Sequence, residues 1–455
     1  MVNATAAASS TPTHLVVRSL SRNGRLLQSP WIFKMAFVHK AFGGEAESSE
    51  EGGMALDAYR KARGLNNTAD LIDCNKTFVC PNYHPVPVVI TRGSGAVVWD
   101  VEGKPYYDFL AGVSAQRLTM TLRTFYNDVT EPACMFMAEM FRYEKVLLMN
   151  TGAEAGESAL KVARKWAYEV KGVPENFAKI IMCKNNYWGR TITACSSSTT
   201  YDTYHNFGPF TPGFELIDYD SIPALEKALE DPNVAAFFVE PIQGEGGVII
   251  PAEGYLRRAH ELCRAHNVLL IVDEIQTGLC RTGKLLASDY DDIHPDMLLL
   301  GKSLSGGTIP ISAIFGSADL LNVLGPGTHS STFGGNPLAC AVAVEALSVL
   351  QDEGLAEKAS ALGCRFRNRM QSELLNGKVQ WIRDIRGKGL LNAIEVNGEA
   401  VDAEKLTLEL KENGILTKAT RKTVLRFIPP LVITDKQLED AMDKIVHVFL
   451  HHQGK

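Results

Sequence analysis

Two short apolar runs constrain this chain more than any other feature. Leu269-Leu270-Ile271-Val272 stops abruptly at Asp273, and Met297-Leu298-Leu299-Leu300 stops at Gly301-Lys302; turn-forming residues follow both. Runs of this length, apolar at every position and bounded by turn signals, fit strands covered on both faces, as in a parallel sheet between helix layers. Each strand then delivers one ionisable group to the carboxyl end of the sheet. An amine and a carboxylate so placed are what an aldehyde cofactor such as pyridoxal 5'-phosphate needs. Lys302 supplies the amine of a Schiff base and Asp273 an anion for a pyridinium nitrogen.

The rest of the chain supports such a sheet. Val146–Met149, Ile180–Met182, Ala236–Val239, Val268–Val272, Met297–Leu300 and Ile311–Phe315 read as strands, with helical patterns at Glu154–Val170, Ser221–Glu230 and Tyr255–His266 between them. This alternation predicts an α/β architecture, a mostly parallel sheet with helices on both faces. Ahead of it, Val88–Phe109 is strand-like and broken by Gly93, Gly95 and Gly103, as in a small meander. Beyond Asn336-Pro337 comes a helix over Leu338–Asp352. A second unit follows, with helices over Ala356–Leu374, from Glu404 and over Asp435–Leu450, and a strand-rich stretch over Gly389–Val396.

At 455 residues the chain exceeds one typical core. We expect a leader and linker over 1–54, the amino-terminal part of a smaller unit over 55–144, a large cofactor-binding unit over 145–335, and a connecting helix with the remaining small unit over 336–455. A net charge of -6 argues against nucleic acid as the main partner. No apolar run is long enough to cross a bilayer, so no membrane association is expected. Nine scattered cysteines form no CxxC or Cys/His metal pattern, which points to a reducing compartment and no metal. From Met1 to Gly44 there is no Asp or Glu, while Arg18, Arg22, Arg25, Lys34 and Lys40 sit among Ser, Thr and Ala. That bias is similar to a mitochondrial transit peptide, with a plain leader as the alternative, so we expect the mitochondrial matrix or, failing that, the cytoplasm.

Several motifs bear on the chemistry. Asn150-Thr151-Gly152-Ala153-Glu154 follows a strand and opens a helix, where free N–H groups can receive a phosphate; an ordinary capped glycine turn accounts for it equally well. His329-Ser330-Ser331-Thr332-Phe333-Gly334-Gly335 offers a second phosphate contact or a capping loop. In Asn186-Tyr187-Trp188-Gly189-Arg190 an aromatic can stack on a ring and an arginine can hold a carboxylate, with core packing as the competing account. Glu240 and Glu245 in Val239-Glu240-Pro241-Ile242-Gln243-Gly244-Glu245 are two carboxylates at a strand end and on a loop, for which ion pairing suffices. Arg426, inside the apolar run Leu425–Ile428, requires an anionic partner or ligand. Gly301-Lys302-Ser303 is not a Walker A loop, because Asp296 stands where that motif places its first glycine.

Taken together, NTGAEAGESALKVARKWAY, NNYWGRT, FGPFTPGF, VEPIQGEGG, DEIQTGLCRTGK, LLGKSLSGG, STFGGNPLACAVA and RGKGLLNAI resemble the class III aminotransferases of the ornithine, acetylornithine and GABA type. The likeness runs from near Asn82 to about Leu450. It implies a fold-type I pyridoxal-phosphate transferase, a homodimer with shared active sites, whose smaller α+β domain is formed by the two ends of the chain. It further implies that Lys302 carries the cofactor, Asp273 pairs with the ring nitrogen, Tyr187 stacks on the ring and Gln276 contacts its hydroxyl. Gly152 and Ala153 would bind the phosphate, and Thr332 would reach the phosphate of the partner subunit. The implied reaction moves the δ-amino group of L-ornithine to 2-oxoglutarate. Arg190 with Tyr83 would hold the distal carboxylate, and Arg426 the proximal one, released by Glu245 when the keto acid binds.

The chain also departs from the family. After Asp108-Phe109-Leu110 members continue through a Ser-Ala-Val-Asn-Gln-Gly-His stretch into a helix. Here Ser114-Ala115 runs directly to Gln116-Arg117, leaving out roughly five helical turns of chain. Val113 stands where ornithine-specific members carry tyrosine, which keeps an acetylornithine or GABA specificity open. The shortened stretch motivates a further alternative, an inactive form. Restoring it is expected to raise both stability and turnover, and equal values in the two proteins would refute that expectation.

Overall fold

The strand that ends at Asp273 lies between the strands that end at Val239 and Leu300, at the centre of a seven-stranded sheet. The structure, a computed structural model, describes residues 55–83, 85–94, 97–107, 123–375 and 379–452. The expected leader, the shortened stretch around Ala115 and Val113 lie outside the described residues.

Among the described residues three sheets form. The first contains β1 (Val86–Ser94), β2 (Val97–Asp100), β3 (Pro105–Tyr107) and β4 (Phe125–Asn127) in the order β3-β2-β1-β4. It includes the expected meander and gains β4, which joins β1 in parallel.

The seven-stranded sheet comprises β5 (Lys145–Met149), β6 (Lys179–Cys183), β7 (Phe214–Ile217), β8 (Val234–Val239), β9 (Leu269–Asp273), β10 (Met297–Leu300) and β11 (Ser312–Gly316). Its order is β5-β11-β10-β9-β8-β6-β7. Strands β10, β9, β8, β6 and β7 pair in parallel, and β11 runs antiparallel to both neighbours. Alternate side chains feed two cores. Met182, Phe238, Ile271, Leu299 and Ile314 pack with Ala155, Ala159 and Val162 of the helix Gly152–Trp166. Ile181, Phe237, Leu270 and Val272 pack on the other face with the helices Ile222–Ala228 and Tyr255–Ala265. Both faces are covered, as the uniformly apolar strands require.

The third sheet, β12 (Ile382–Lys388), β13 (Leu391–Val396), β14 (Lys418–Thr420) and β15 (Val424–Phe427), is antiparallel in the order β12-β13-β15-β14. Only β13 falls in the stretch expected to be strand-rich. β12 and β14 carry charged residues on exposed positions, and β7 is an edge strand with mostly half-buried residues. None of the three shows the continuous apolar run that marks β8 to β11.

Strand order reverses at β6: the chain leaves it outward to β7 and resumes inward with β8. In an open α/β sheet the crevice beyond the strand ends at such a point is where ligands bind. Tyr187 follows β6 and Glu240 follows β8 there.

Candidate functional site

Three neighbouring strands end in three ionisable groups. Register places Val239 beside Val272 and Leu299 beside Asp273, so Glu240, Asp273 and Lys302 emerge side by side at the carboxyl edge. Asp273 is 4 % exposed. Its Oδ1 accepts a 2.9 Å hydrogen bond from Ile275 N, yet burial pushes its carboxyl up to about 6. Glu240 is buried too. It accepts from Tyr187 N at 3.0 Å, and burial together with the Asp273 charge raises it to about 8.

Lys302 is exposed to solvent, yet its amine has enough protein around it to be desolvated. Desolvation lowers its pKa, opposed by Asp273, Glu245 and Glu240 and aided by Arg426. The backbone there is unusual: Lys302 has φ +42°, a left-handed value that a side chain rarely takes. Such outliers collect where side chains must be aimed. An amine with a lowered pKa beside a buried carboxylate can act as a nucleophile and move a proton.

The start of the helix Gly152–Trp166 provides for an anion. Thr151 is its N-cap in a full capping box, accepting from Glu154 N at 3.2 Å, while Glu154 Oε2 accepts from Thr151 N at 2.7 Å. Ala155 N bonds to Thr151 O. Among the described residues the N–H groups of Gly152 and Ala153 then have no protein partner, at the positive end of the helix. A Cβ on Gly152 would come within 2.9 Å of Ile275 Cδ1, so glycine is what brings this turn against the segment that follows Asp273.

The two aromatics after β6 part company. Trp188 is buried against the helix: a Cβ on Gly156 would fall 2.5 Å from its Cε3, and its Nε1 donates to Ser197 Oγ at 2.9 Å. Tyr187 is half-buried, and the exposed Arg190 guanidinium lies 6.0 Å from its ring centroid. Core packing therefore claims Trp188 and leaves Tyr187 a ring face for a ligand.

Arg426, on β15, is ion-paired through Nη1 with Glu245 Oε1, and both charges act on Lys302. The neighbouring Gly244 fits under Gln276, whose Oε1 would lie 1.7 Å from a Cβ at position 244. Any side chain there displaces the Gln276 amide. Thr332 and Tyr83 belong to another cluster. Tyr83 OH donates to Ser331 O at 3.1 Å and accepts from Ser331 N at 3.0 Å, next to the exposed Thr332. Asn150 Nδ2 donates to Ser331 Oγ at 2.9 Å, tying that loop to the helix start. Tyr83 and Arg190, expected to act as a pair, thus sit in different sets of contacts.

The structure gathers Lys302, Asp273, Gln276, Glu245 and Arg426 around the strand ends, with Gly152, Ala153 and Tyr187 beside them. Sequence reasoning assigned Glu240 only to ion pairing. Its partners are the backbone N–H groups of Tyr187 and Gly244, and the readable signal was its position at the end of the strand next to Asp273. The donor set suits a flat, phosphate-bearing ring with an aldehyde: two free N–H groups for the phosphate, an aromatic face, a buried carboxylate and an amine.

Comparison with known proteins agrees with this reading. The family described as Aminotransferase class-III matches residues 78–449. The mitochondrial ornithine aminotransferase of Drosophila melanogaster is 50% identical over 382 residues, which are 80% of this chain and 88% of that protein. A crystallised ornithine aminotransferase from Toxoplasma gondii, with pyridoxal phosphate at partial occupancy in its active site, is 64% identical and superposes with a TM-score of 0.73 over 89% of this chain and 98% of that one. An acetylornithine aminotransferase from Elizabethkingia anophelis is 48% identical, with a TM-score of 0.67 over 85% of this chain and 100% of that one.

Proposed function

The chain belongs to the class III aminotransferases, and from that premise we propose that it transfers the δ-amino group of L-ornithine to 2-oxoglutarate. The products are glutamate and glutamate-5-semialdehyde, which cyclises to pyrroline-5-carboxylate. Pyridoxal phosphate, when bound, supplies an electron sink for the pair left behind when a C–H proton departs. The residues of the chain bind, aim and protonate.

Gly152 and Ala153 N–H groups hold the phosphate, and Tyr187 covers one ring face. Gln276, kept in place by Gly244, reaches the ring hydroxyl. Asp273 meets the ring nitrogen, where the added positive charge favours its ionised form. Lys302 would hold the aldehyde carbon, and its amine is the group that would move a proton between the substrate carbon and the aldehyde carbon on either side of the transferred nitrogen. In a homodimer, Thr332 serves the phosphate of the partner subunit.

The observation that carries the substrate assignment is the Glu245–Arg426 pair beside Lys302. Ornithine reacts at its terminal amine, so its carboxylate lies far from Lys302, held by Arg190 with Tyr83, and a free cation close by would be misplaced. 2-Oxoglutarate reacts next to a carboxylate and needs that cation. Glu245 neutralises Arg426 in the first half-reaction and releases it in the second. The expected outcome is turnover of ornithine with 2-oxoglutarate, read with a trap for the cyclised product. In Glu245→Ala the ornithine half-reaction slows relative to the 2-oxoglutarate half-reaction by about tenfold. An unchanged ratio of the two half-reactions refutes the gate. Faster turnover of N-acetylornithine or GABA refutes the ornithine assignment, an outcome for which Val113 and the Elizabethkingia relative give grounds. The basic, acid-free residues 1–44 and the mitochondrial name of the Drosophila relative support residence in the mitochondrial matrix.

A further inference from the structure

His329 takes no part in the chemistry above, yet both of its ring nitrogens are engaged. Lys161 Nζ lies 2.9 Å from Nδ1, and Ser158 Oγ lies 2.8 Å from Nε2. Directions can be assigned. An ammonium only donates, so Nδ1 accepts and the ring proton sits on Nε2. Ser158 Oγ, already donating to Glu154 O at 2.6 Å, accepts that proton. The chain Lys161 to His329 to Ser158 to the Glu154 carbonyl is then complete, every donor meeting an acceptor. It is complete only for a neutral imidazole, because a proton on Nδ1 would face the ammonium. Burial and the Lys161 charge hold the imidazole down to about 4, so it stays neutral at ordinary pH.

The chain joins two elements. Ser158, Lys161 and Glu154 lie on the first turns of the helix whose N-terminus offers the Gly152 and Ala153 N–H groups. His329 opens the loop that carries Thr332, and Lys161 also donates to Thr328 O at 3.1 Å. Asn82 Nδ2 donates to His329 O at 3.0 Å from a third segment. With the Asn150–Ser331 bond, loop and helix are fastened at two points.

We infer that His329, clamped between Lys161 and Ser158, is a positioning residue for cofactor phosphate binding, fixing the Thr332 loop to the phosphate-binding helix. The inference rests on the function proposed above and adds a residue that touches neither cofactor nor substrate. In a dimer the clamp makes one rigid piece of the helix that holds one phosphate and the loop that serves the other.

The test is the rate of cofactor release from the holoenzyme, followed by absorbance after dilution, together with kcat at saturating cofactor. His329→Ala is expected to release cofactor at least about tenfold faster, while kcat at saturating cofactor stays within about twofold. His329→Gln, whose amide can accept from Lys161 and donate to Ser158, is expected to restore release to near the parental rate. Lys161→Met, which leaves the imidazole in place, is expected to speed release by a few-fold and guards against a misfolded alanine variant. Thr332→Val separates the two levels. Fast release in Thr332→Val with parental release in both His329→Ala and Lys161→Met overturns the clamp and leaves the proposed function standing. Parental release in Thr332→Val as well overturns the part of the loop in phosphate binding, and the clamp with it.

Discussion

The edge where β8, β9 and β10 end and the loop 328–337 hold their functional groups by opposite means. Asp273 ends β9, and Glu240 and Lys302 follow β8 and β10 by one and two residues, so the register of three wholly buried strands sets where all three emerge. Thr332 and its neighbours are set by polar bonds between loops and one helix, and several of these side chains are exposed. Register cannot drift without turning side chains to the wrong face, so a substitution at the strand ends changes charge and leaves position intact. Hydrogen bonds in a loop can be lost singly, so a substitution there changes position first. The two regions therefore fail differently, the first in chemistry and the second in binding.

The largest effect is expected at the strand edge. Lys302→Ala should lower kcat by at least about a thousandfold while the cofactor-free protein keeps the fold and melting behaviour of the cofactor-free parent. The visible absorption of cofactor bonded to lysine should vanish with it. Turnover within tenfold of the parent would break the contrast, since a residue fixed by register would then have no chemical role.

A smaller effect concerns the proton on Glu240. Its folded pKa of about 8 lies above the value of about 4.5 expected in the unfolded chain, so the folded state binds the extra proton between them. The stability this contributes is fully present below about 4.5 and is lost as pH rises through about 8. In cofactor-free protein, Glu240→Gln should therefore flatten the fall in Tm between about pH 5 and 8, because the amide still accepts from Tyr187 N but does not titrate. An unchanged slope would assign the loss to other raised carboxyls, of which Glu131, at about 7, is the next candidate.

The smallest effect belongs to the helix start. Thr151→Ala removes one cap bond and should cost about 1 kcal/mol in denaturant unfolding. Because the Glu154 side chain still holds the Asn150 and Thr151 N–H groups, cofactor affinity should change less than in Thr332→Val. The reverse order would mean that the cap, and not the loop, fixes the phosphate site.

The same contrast decides what could be read in advance. Strand ends were legible because a strand covered on both faces must be apolar throughout, and a charge ending such a run is conspicuous. Asp273 and Lys302 follow from that alone, and Glu240 could have. β7 escaped notice as an edge strand, and β12 and β14 because their exposed faces carry charge. Lys161, Ser158 and His329 give no signal at all in one dimension, since 168 positions separate the lysine from the histidine it holds. Nor does spacing tell Tyr187 from Trp188. The split arises from Gly156, whose bare backbone admits the indole.

One consequence of the capping box reaches beyond catalysis. Glu154 binds the N–H groups just before the helix, which leaves those of Gly152 and Ala153 without a partner among the described residues and open to a guest anion. Folding and vitamin supply are thereby linked: a ligand that binds only the native chain adds about 2.7 kcal/mol when present at a hundred times its Kd. The lifetime of this protein in a cell should track the local concentration of its cofactor, and a starved cell would lose the enzyme by turnover as well as by idleness.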